Sequence, residues 1–341
     1  MGDRQGEDGI SEVVGFVFIL ALLVTGLSIY LAYGVPIQGR EGEIKEMDAV
    51  RGWFVDYKIG LDRLWMASPG LSSDPDEFMA FNTTIGDITL LKALDPGTAK
   101  AQGFFQRYLP LLAPVRSSGM ISVTDLGESL TIETARGTQR DTISNSTPAL
   151  VYTSRNNYWL QQEYSYQLGG VFLQQWDGPG GRNVSAVAVP PLSIHRYSEP
   201  ATPGVGHLRV ALTVVDLSDV AVSGIGSSSP VRVEAGLRRE PAVQNPDGST
   251  TGQRYDNVSL SFHARDEATA RAWEQVFAGA ARRNGVPVND DDPDPWCTTH
   301  QSGTYAWINV TGPPGDGGNV SLDLLVAEYA MQLSNVPTMI E

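Results

Sequence analysis

Residues 10–35 read ISEVVGFVFILALLVTGLSIYLAYGV, and no side chain from Val13 to Gln38 carries a charge. A helix of about 20 apolar residues crosses the hydrocarbon core of a bilayer, so this stretch is long enough to span one with some tilt. A helix in a soluble core is rarely apolar on every face for so long. The expectation is a membrane-inserted helix over residues 12–35.

The preceding leader, MGDRQGEDG, sets Asp3, Glu7 and Asp8 against Arg4 alone. A secretory signal peptide needs a basic start, an apolar region of about 7–15 residues and a small-x-small cleavage site behind it. Ala32-Tyr33-Gly34 has the shape of such a site, but the apolar run is too long and the start has the wrong sign.

The junction Asp8-Gly9-Ile10-Ser11-Glu12-Val13-Val14-Gly15 resembles the amino terminus of archaeal type IV pilin-like proteins. In that family a charged residue and a glycine precede a hydrophobic helix that opens Ser-Glu-Val-(Val/Ile)-Gly. The resemblance covers residues 8–35 and implies a class III signal peptide, with residues 1–9 as leader. A prepilin peptidase would then cut between Gly9 and Ile10, leaving the helix as anchor and assembly element. It also implies that Glu12 pairs with a neighbour's terminal amine. The alternative is that Glu12 marks the bilayer edge, where a charge costs less than the about 2.5 kcal/mol or more at the centre. Gly169-Gly170-Val171, Pro190-Pro191-Leu192 and SGIGSSSP at 223–230 are reminiscent of uncharacterised archaeal pilin-like heads.

The 341 residues suffice for that helix and one large domain or two modest ones. A net charge of −15 argues against a nucleic-acid partner and suits an acidic ectodomain. Cys297 is the single cysteine, so no disulfide forms within the chain. Basic residues favour the cytoplasmic side. Arg40, Lys45 and Arg51 follow the helix and only Arg4 precedes it, which by itself would put the head inside. Against this stand six Asn-x-Ser/Thr sequons, at Asn82, Asn145, Asn183, Asn257, Asn309 and Asn319. Chance would supply about two, and each is an N-glycosylation candidate. Sequons and leader together place the head outside, on the cell surface.

Beyond the apolar run, Met47, Val50, Phe54, Tyr57, Leu61 and Leu64 alternate spacings of three and four, so the helix extends to residue 66. The stripe suits packing on the chain's own head, or contact with neighbouring helices. Pro36 removes a backbone donor at the junction and predicts a kink. Ser68-Pro69-Gly70 ends the helix.

Residues 76–335 then read as a β-rich head, with Pro and Gly near 195–206 marking a site where it could divide. Strands are expected at 78–94, 119–124, 128–135, 149–154, 170–176, 184–189, 207–216, 230–237, 254–263, 304–311 and 318–333. Asn245-Pro246-Asp247-Gly248 and Gly315-Asp316-Gly317-Gly318 look like hairpin tips. Asp266 suits a cap for a helix over 267–283, with Trp273, Val276, Phe277 and Ala280 on its apolar face. A shorter helical piece fits 98–109. The fold class is therefore α+β: a long N-terminal helix, then a mainly antiparallel β head with one or two short helices.

The residues that could carry chemistry are few. Neither a nucleophile elbow nor a phosphate-cradling loop is present, and no enzyme activity or cofactor is expected. Asp290, Asp292 and Asp294 have the alternate spacing of many calcium loops, but Pro295 replaces the turn glycine and no glutamate follows at the twelfth position. A solvated acidic loop is the plainer reading. Cys297 and His300 form half a zinc-like pair with no second half nearby. Tyr158, Trp159, Tyr164 and Tyr166 suit either core packing or sugar binding. The expected function is a pilin-like surface protein, a minor subunit of a type IV pilus-like filament. Its partners would be the membrane, the prepilin peptidase, other pilin-like subunits and their assembly machinery. The alternative is a solitary anchored ectodomain acting as adhesin or ligand-binding module.

Overall fold

The computed structural model describes residues 5–67, 89–94, 114–115, 117–177, 181–198, 206–220, 224–227, 231–238, 242–249, 253–289, 295–312 and 319–335. The fold is α+β, one long N-terminal helix followed by a mostly antiparallel β domain with, among the described residues, one further helix. The long helix comprises α1 (Gln5–Ile29), a π-turn (Tyr30–Gly34) and α2 (Val35–Met66). At 1.5 Å per residue it extends roughly 93 Å. Helix α1 starts upstream of the expected leader boundary, so the Gly9–Ile10 bond lies in its second turn.

Pro36 lacks an N–H, and its ring would crowd the carbonyl four residues earlier in an α-helix. The chain responds by widening just before it. The Val35 N–H bonds to the Tyr30 carbonyl five residues back, and α2 continues with Pro36 in its first turn, where a missing donor is harmless. Gly34 is required here because a Cβ would meet the Tyr30 ring at 2.8 Å.

Three sheets build the head. The first runs β1 (Thr89–Leu94), β12 (Val231–Leu237), β18 (Val320–Asn335), β10 (Gly206–Val220), β9 (Leu192–Ser198). Two short strands, β13 (Ala242–Val243) and β14 (Arg254–Tyr255), also pair with β18. The second runs β11 (Gly224–Ser227), β2 (Ser118–Thr124), β5 (Ala149–Arg155), β6 (Gln162–Gln167), β7 (Gly170–Asp177), β8 (Gly181–Ala188). The third runs β16 (Cys297–Ser302), β17 (Tyr305–Val310), β15 (Asn257–His263), β3 (Ser129–Arg136), β4 (Gln139–Ser146). Among these pairings only β10 with β18 is parallel. Each sheet draws strands from both sides of residues 195–206, so the two parts of the head interweave across that segment.

Two cores lie against opposite faces of the first sheet. Leu208, Val210, Leu212 and Val214 of β10, with Val320, Leu322 and Leu324 of β18, face the third sheet and helix α3 (Glu267–Arg282). Further along the same strands the buried parity switches. Val215 and Leu217, with Ala327, Tyr329, Met331 and Leu333, face the second sheet and α2. Because alternate strand residues point to opposite faces, one pair of long strands serves both cores. The α2 stripe Met47, Val50, Phe54, Tyr57 and Leu61 is fully buried in the second core. The sheet therefore uses the heptad-like pattern for packing on its own chain. Tyrosine hydroxyls tie the helix further: Tyr329 donates to the Leu61 carbonyl at 2.8 Å and Tyr57 to the Met331 sulfur at 3.4 Å.

Helix α3 begins as its sequence dictates, with the Asp266 carboxylate accepting the Thr269 N–H at 2.8 Å. Other local expectations are corrected. Residues 245–248 do turn, with Gly248 at φ +74°, but β13 and β14 lie in succession along β18 and do not pair with each other. Asn245 fills the gap between them, its side-chain oxygen accepting the Leu324 N–H at 3.1 Å. Gly315-Asp316-Gly317-Gly318 lie outside the described residues; β17 and β18, on either side of them, belong to different sheets. Strands β4, β6, β9, β11, β13 and β16 lie outside the expected ranges; β4 and β16, QRDTISNS and CTTHQS, are polar edge strands without an apolar alternation. The helical piece at 98–109 lies outside the described residues.

Phe54 is completely buried between α2 and Tyr164 of the second sheet. Phe54→Ala is expected to destabilise the head by about 3–5 kcal/mol through lost burial and the cavity left behind. Urea unfolding of the full chain in detergent, followed by tryptophan fluorescence, measures this.

Candidate functional site

The feature that dominates the molecular surface is the bare helix. From Val13 to Ile29 every described residue is exposed, Leu22 at 74%. It is the one helix among the described residues long and apolar enough to cross a membrane. Val13 to Gly34 covers roughly 33 Å, matching a hydrocarbon core of about 30 Å. Its two aliphatic hydroxyls are satisfied within the helix, Thr25 donating to the Ala21 carbonyl and Ser28 to the Val24 carbonyl, both at 2.7 Å. Neither of these hydroxyls therefore needs water, as insertion into lipid demands.

Where the helix enters the head, a loop grips it. Glu43 is 1% exposed, and its carboxylate accepts the backbone N–H groups of Asn157 at 2.6 Å and Tyr158 at 2.8 Å. One turn earlier, Gly39 lets the Tyr158 ring lie against the helix, where a Cβ would approach to 2.3 Å. Arg40 stacks over Trp159 at 4.4 Å. The Tyr158 hydroxyl also accepts the Val115 N–H at 3.1 Å. Tyr164 and Tyr166 are buried in the second core, so all four aromatics singled out as sugar candidates serve the helix socket. Burial raises the Tyr164 hydroxyl to about 12.

A second polar cluster lies between the second and third sheets. Glu128, 1% exposed, accepts from Gln167 Nε2 at 2.7 Å and from the Arg265 N–H at 3.1 Å. The Arg265 guanidinium lies 3.8 Å from it and reaches Glu163 and Gln174 as well. Burial pushes the Glu128 carboxyl above its usual 4.5, and these donors only partly oppose the rise.

A cleft of ≈ 540 Å³ opens on the first sheet beside the end of α2. Trp65, Pro190, Pro191, Leu212 and Leu325 give it apolar walls, and the Arg209–Asp323 ion pair lies on one side. Pro190 and Pro191 also pack on Gly169 and Gly170 of the β6–β7 turn, bringing together two stretches quoted from the sequence. Gly169, at φ +77°, and Leu168, at φ 50°, have the backbone of a tight hairpin turn.

The remaining candidates are scattered. Asp290, Asp292 and Asp294 lie outside the described residues, as do Asn82 and, beyond their helical backbone, Gly9, Ile10 and Glu12. Among the described residues no group of three or more His, Cys, Asp or Glu is placed to hold a metal. Cys297 points into the core, its thiol raised to about 12 by burial, while His300 is on the opposite face of β16. Asn145 and Asn183 are exposed on the edge strands β4 and β8. Asn257 and Asn309 are half-buried within the third sheet and not at hairpin ends, and Asn319 adjoins Gly312. The socket residues Gly39 and Glu43 and the Glu128 cluster escape sequence reasoning, since a glutamate in a helix otherwise reads as solvated. Compared with protein-family models, with curated proteins and with solved structures, the chain matches none.

Glu43→Ala is expected to remove the acceptor of two part-buried N–H groups, at about 0.5–1.5 kcal/mol each. Faster proteolysis at residues 156–161 and a lower urea midpoint in detergent would register it. Glu128 predicts a pH dependence. Its folded-state value lies above the unfolded 4.5, so its contribution to stability is full below that value and is lost as pH climbs through the raised one. Urea midpoints from about pH 4 to about pH 8 should fall for the wild type relative to Glu128→Gln.

Proposed function

We propose that this chain is a pilin-like, non-catalytic cell-surface protein, anchored by its N-terminal helix with the head outside. It serves as a minor subunit of a type IV pilus-like filament. The observation that carries the reading is the division of one continuous helix: the half after Gly34 is seated in the head, and the half before it is bare and apolar. That layout agrees with the resemblance of residues 8–35 to archaeal pilin-like termini. Cleavage between Gly9 and Ile10 by a prepilin peptidase frees an amine for the Glu12 of a neighbouring subunit. Small residues in the apolar half, including Gly15, Ala21 and Gly26, allow close helix approach in a lipid-like core.

A specific observation favours a second reading, the solitary anchored ectodomain. The Met47–Leu61 stripe is spent on the chain's own head, and the outward side of α2 carries Arg40, Lys45, Asp48, Arg51 and Asp56. Apolar contacts between subunits would then be confined to the half before Gly34.

Peptide mapping of protein from native membranes is expected to give a mature terminus at Ile10. A terminus at Met1 or Gly2 overturns the processing, and one at Val35 makes the helix a removed signal peptide. Cysteine crosslinking from Ala21→Cys distinguishes the two readings: oligomers support the filament subunit, and monomers alone support the solitary anchor.

A further inference from the structure

The outer face of the third sheet is built unlike the rest of the head. Its register aligns Ser302, Tyr305, His263, Ser129 and Ser146 in one row across the sheet. The next row is His300, Trp307, Ser261, Thr131 and Ser144, and the one after it contains Thr298, Asn309 and Ser259. In a chain of net charge −15 these positions carry hydroxyls and aromatic rings, with no carboxylate in the two aromatic rows. His263 and Tyr305 pack at 4.5 Å between ring centroids, and His300 and Trp307 at 4.7 Å. Tyr305 is 51% exposed. Rings that present an apolar face beside hydroxyl groups suit a neutral polyhydroxylated ligand.

Asn309 stands on this surface inside the sequon Asn309-Val310-Thr311. Trp307, two residues earlier on the same strand, projects from the same face roughly 7 Å away. The cross-strand neighbours of Asn309 are the short Thr298 and Ser259, and the inner neighbour of Trp307 is Ser261. These short side chains flank the half-buried Asn309 on both sides. The other sequons differ. Residues 80, 181 and 317, two before Asn82, Asn183 and Asn319, are Ala or Gly, and Ile143 precedes Asn145. Tyr255, two before Asn257, is buried in the core.

We propose that Asn309 carries an N-linked glycan whose first sugar stacks on Trp307, so that the glycan covers this face as part of the folded structure. The reaction joins Asn309 Nδ2 to C1 of a sugar supplied on a lipid-linked phosphate. The C1–O bond breaks, the phosphate leaves as an anion with the electron pair, and one amide proton is lost to water. The inference rests on the outward placement of the head.

The test uses full-length protein from its native membranes. Glycopeptide mass spectrometry should find Asn309 occupied. Thr311→Val, which removes the sequon at an exposed position, should lower the Tm by about 2–4 °C with Trp307 present and leave it unchanged in a Trp307→Thr background. Oxidation of Trp307 by N-bromosuccinimide, read on its peptide, should be severalfold faster in Thr311→Val than in the wild type, a measurement independent of whether Trp307→Thr folds. An unmodified Asn309 beside a modified Asn145 or Asn183 overturns the proposal and leaves the outward head standing. Equal Tm losses in both backgrounds with equal oxidation rates overturn the stack. No glycan at any sequon, with a head resistant to protease added to whole cells, overturns the outward placement and this proposal with it. Reversible protection of Trp307 by added saccharide in Thr311→Val, with Asn309 unmodified in the wild type, would instead make the face a site for a free glycan.

Discussion

Burial of one helical stripe organises this molecule. Met47, Val50, Phe54, Tyr57 and Leu61 recur every three or four residues and fall on one side of α2. That side closes the second core against β2, β5 and β6 and against the later halves of β10 and β18. Without the helix, the apolar ends of those strands would face water on that side. The first sheet can therefore be buried on opposite faces at its two ends only because α3 and the third sheet cover one end and α2 the other.

The same helix presents two kinds of surface. Before Gly34 it has properties that suit lipid: an apolar surface, and Thr25 and Ser28 hydroxyls bonded to their own backbone. After Gly34 it is half-buried in protein and half charged. The change of environment coincides with the π-turn, so the irregularity that Pro36 imposes falls between the two regimes. A lone widened turn preserves backbone hydrogen bonding where a simple break would not.

Polar groups inside the head act as fasteners. Glu43 binds two backbone N–H groups of the loop that wraps the helix, Asn245 replaces a missing strand residue beside β18, and Glu128 joins β6 to the start of α3 through Gln167 and Arg265. Each substitutes for hydrogen bonds that regular secondary structure cannot supply at a junction. Their cost in desolvation, visible in the raised carboxyl of Glu128, is tolerable because donors surround them.

The sequence alone determined the local features, because their causes are local. An uninterrupted apolar run, a three-and-four spacing and an Asp cap each act within a few turns of chain, and the long helix, its buried stripe and α3 follow from them. Alternation likewise located the half-buried strands β10, β12 and β15. Only the tertiary structure decided which strands pair, since β10 and β18 meet in parallel across more than a hundred intervening residues. It also decided that polar β4 and β16 are strands, because an edge needs only backbone partners and no apolar alternation. Glu43 shows the difference most directly. In the sequence it is one acid among several on a helix, and its role depends on where a loop more than a hundred residues later brings two N–H groups.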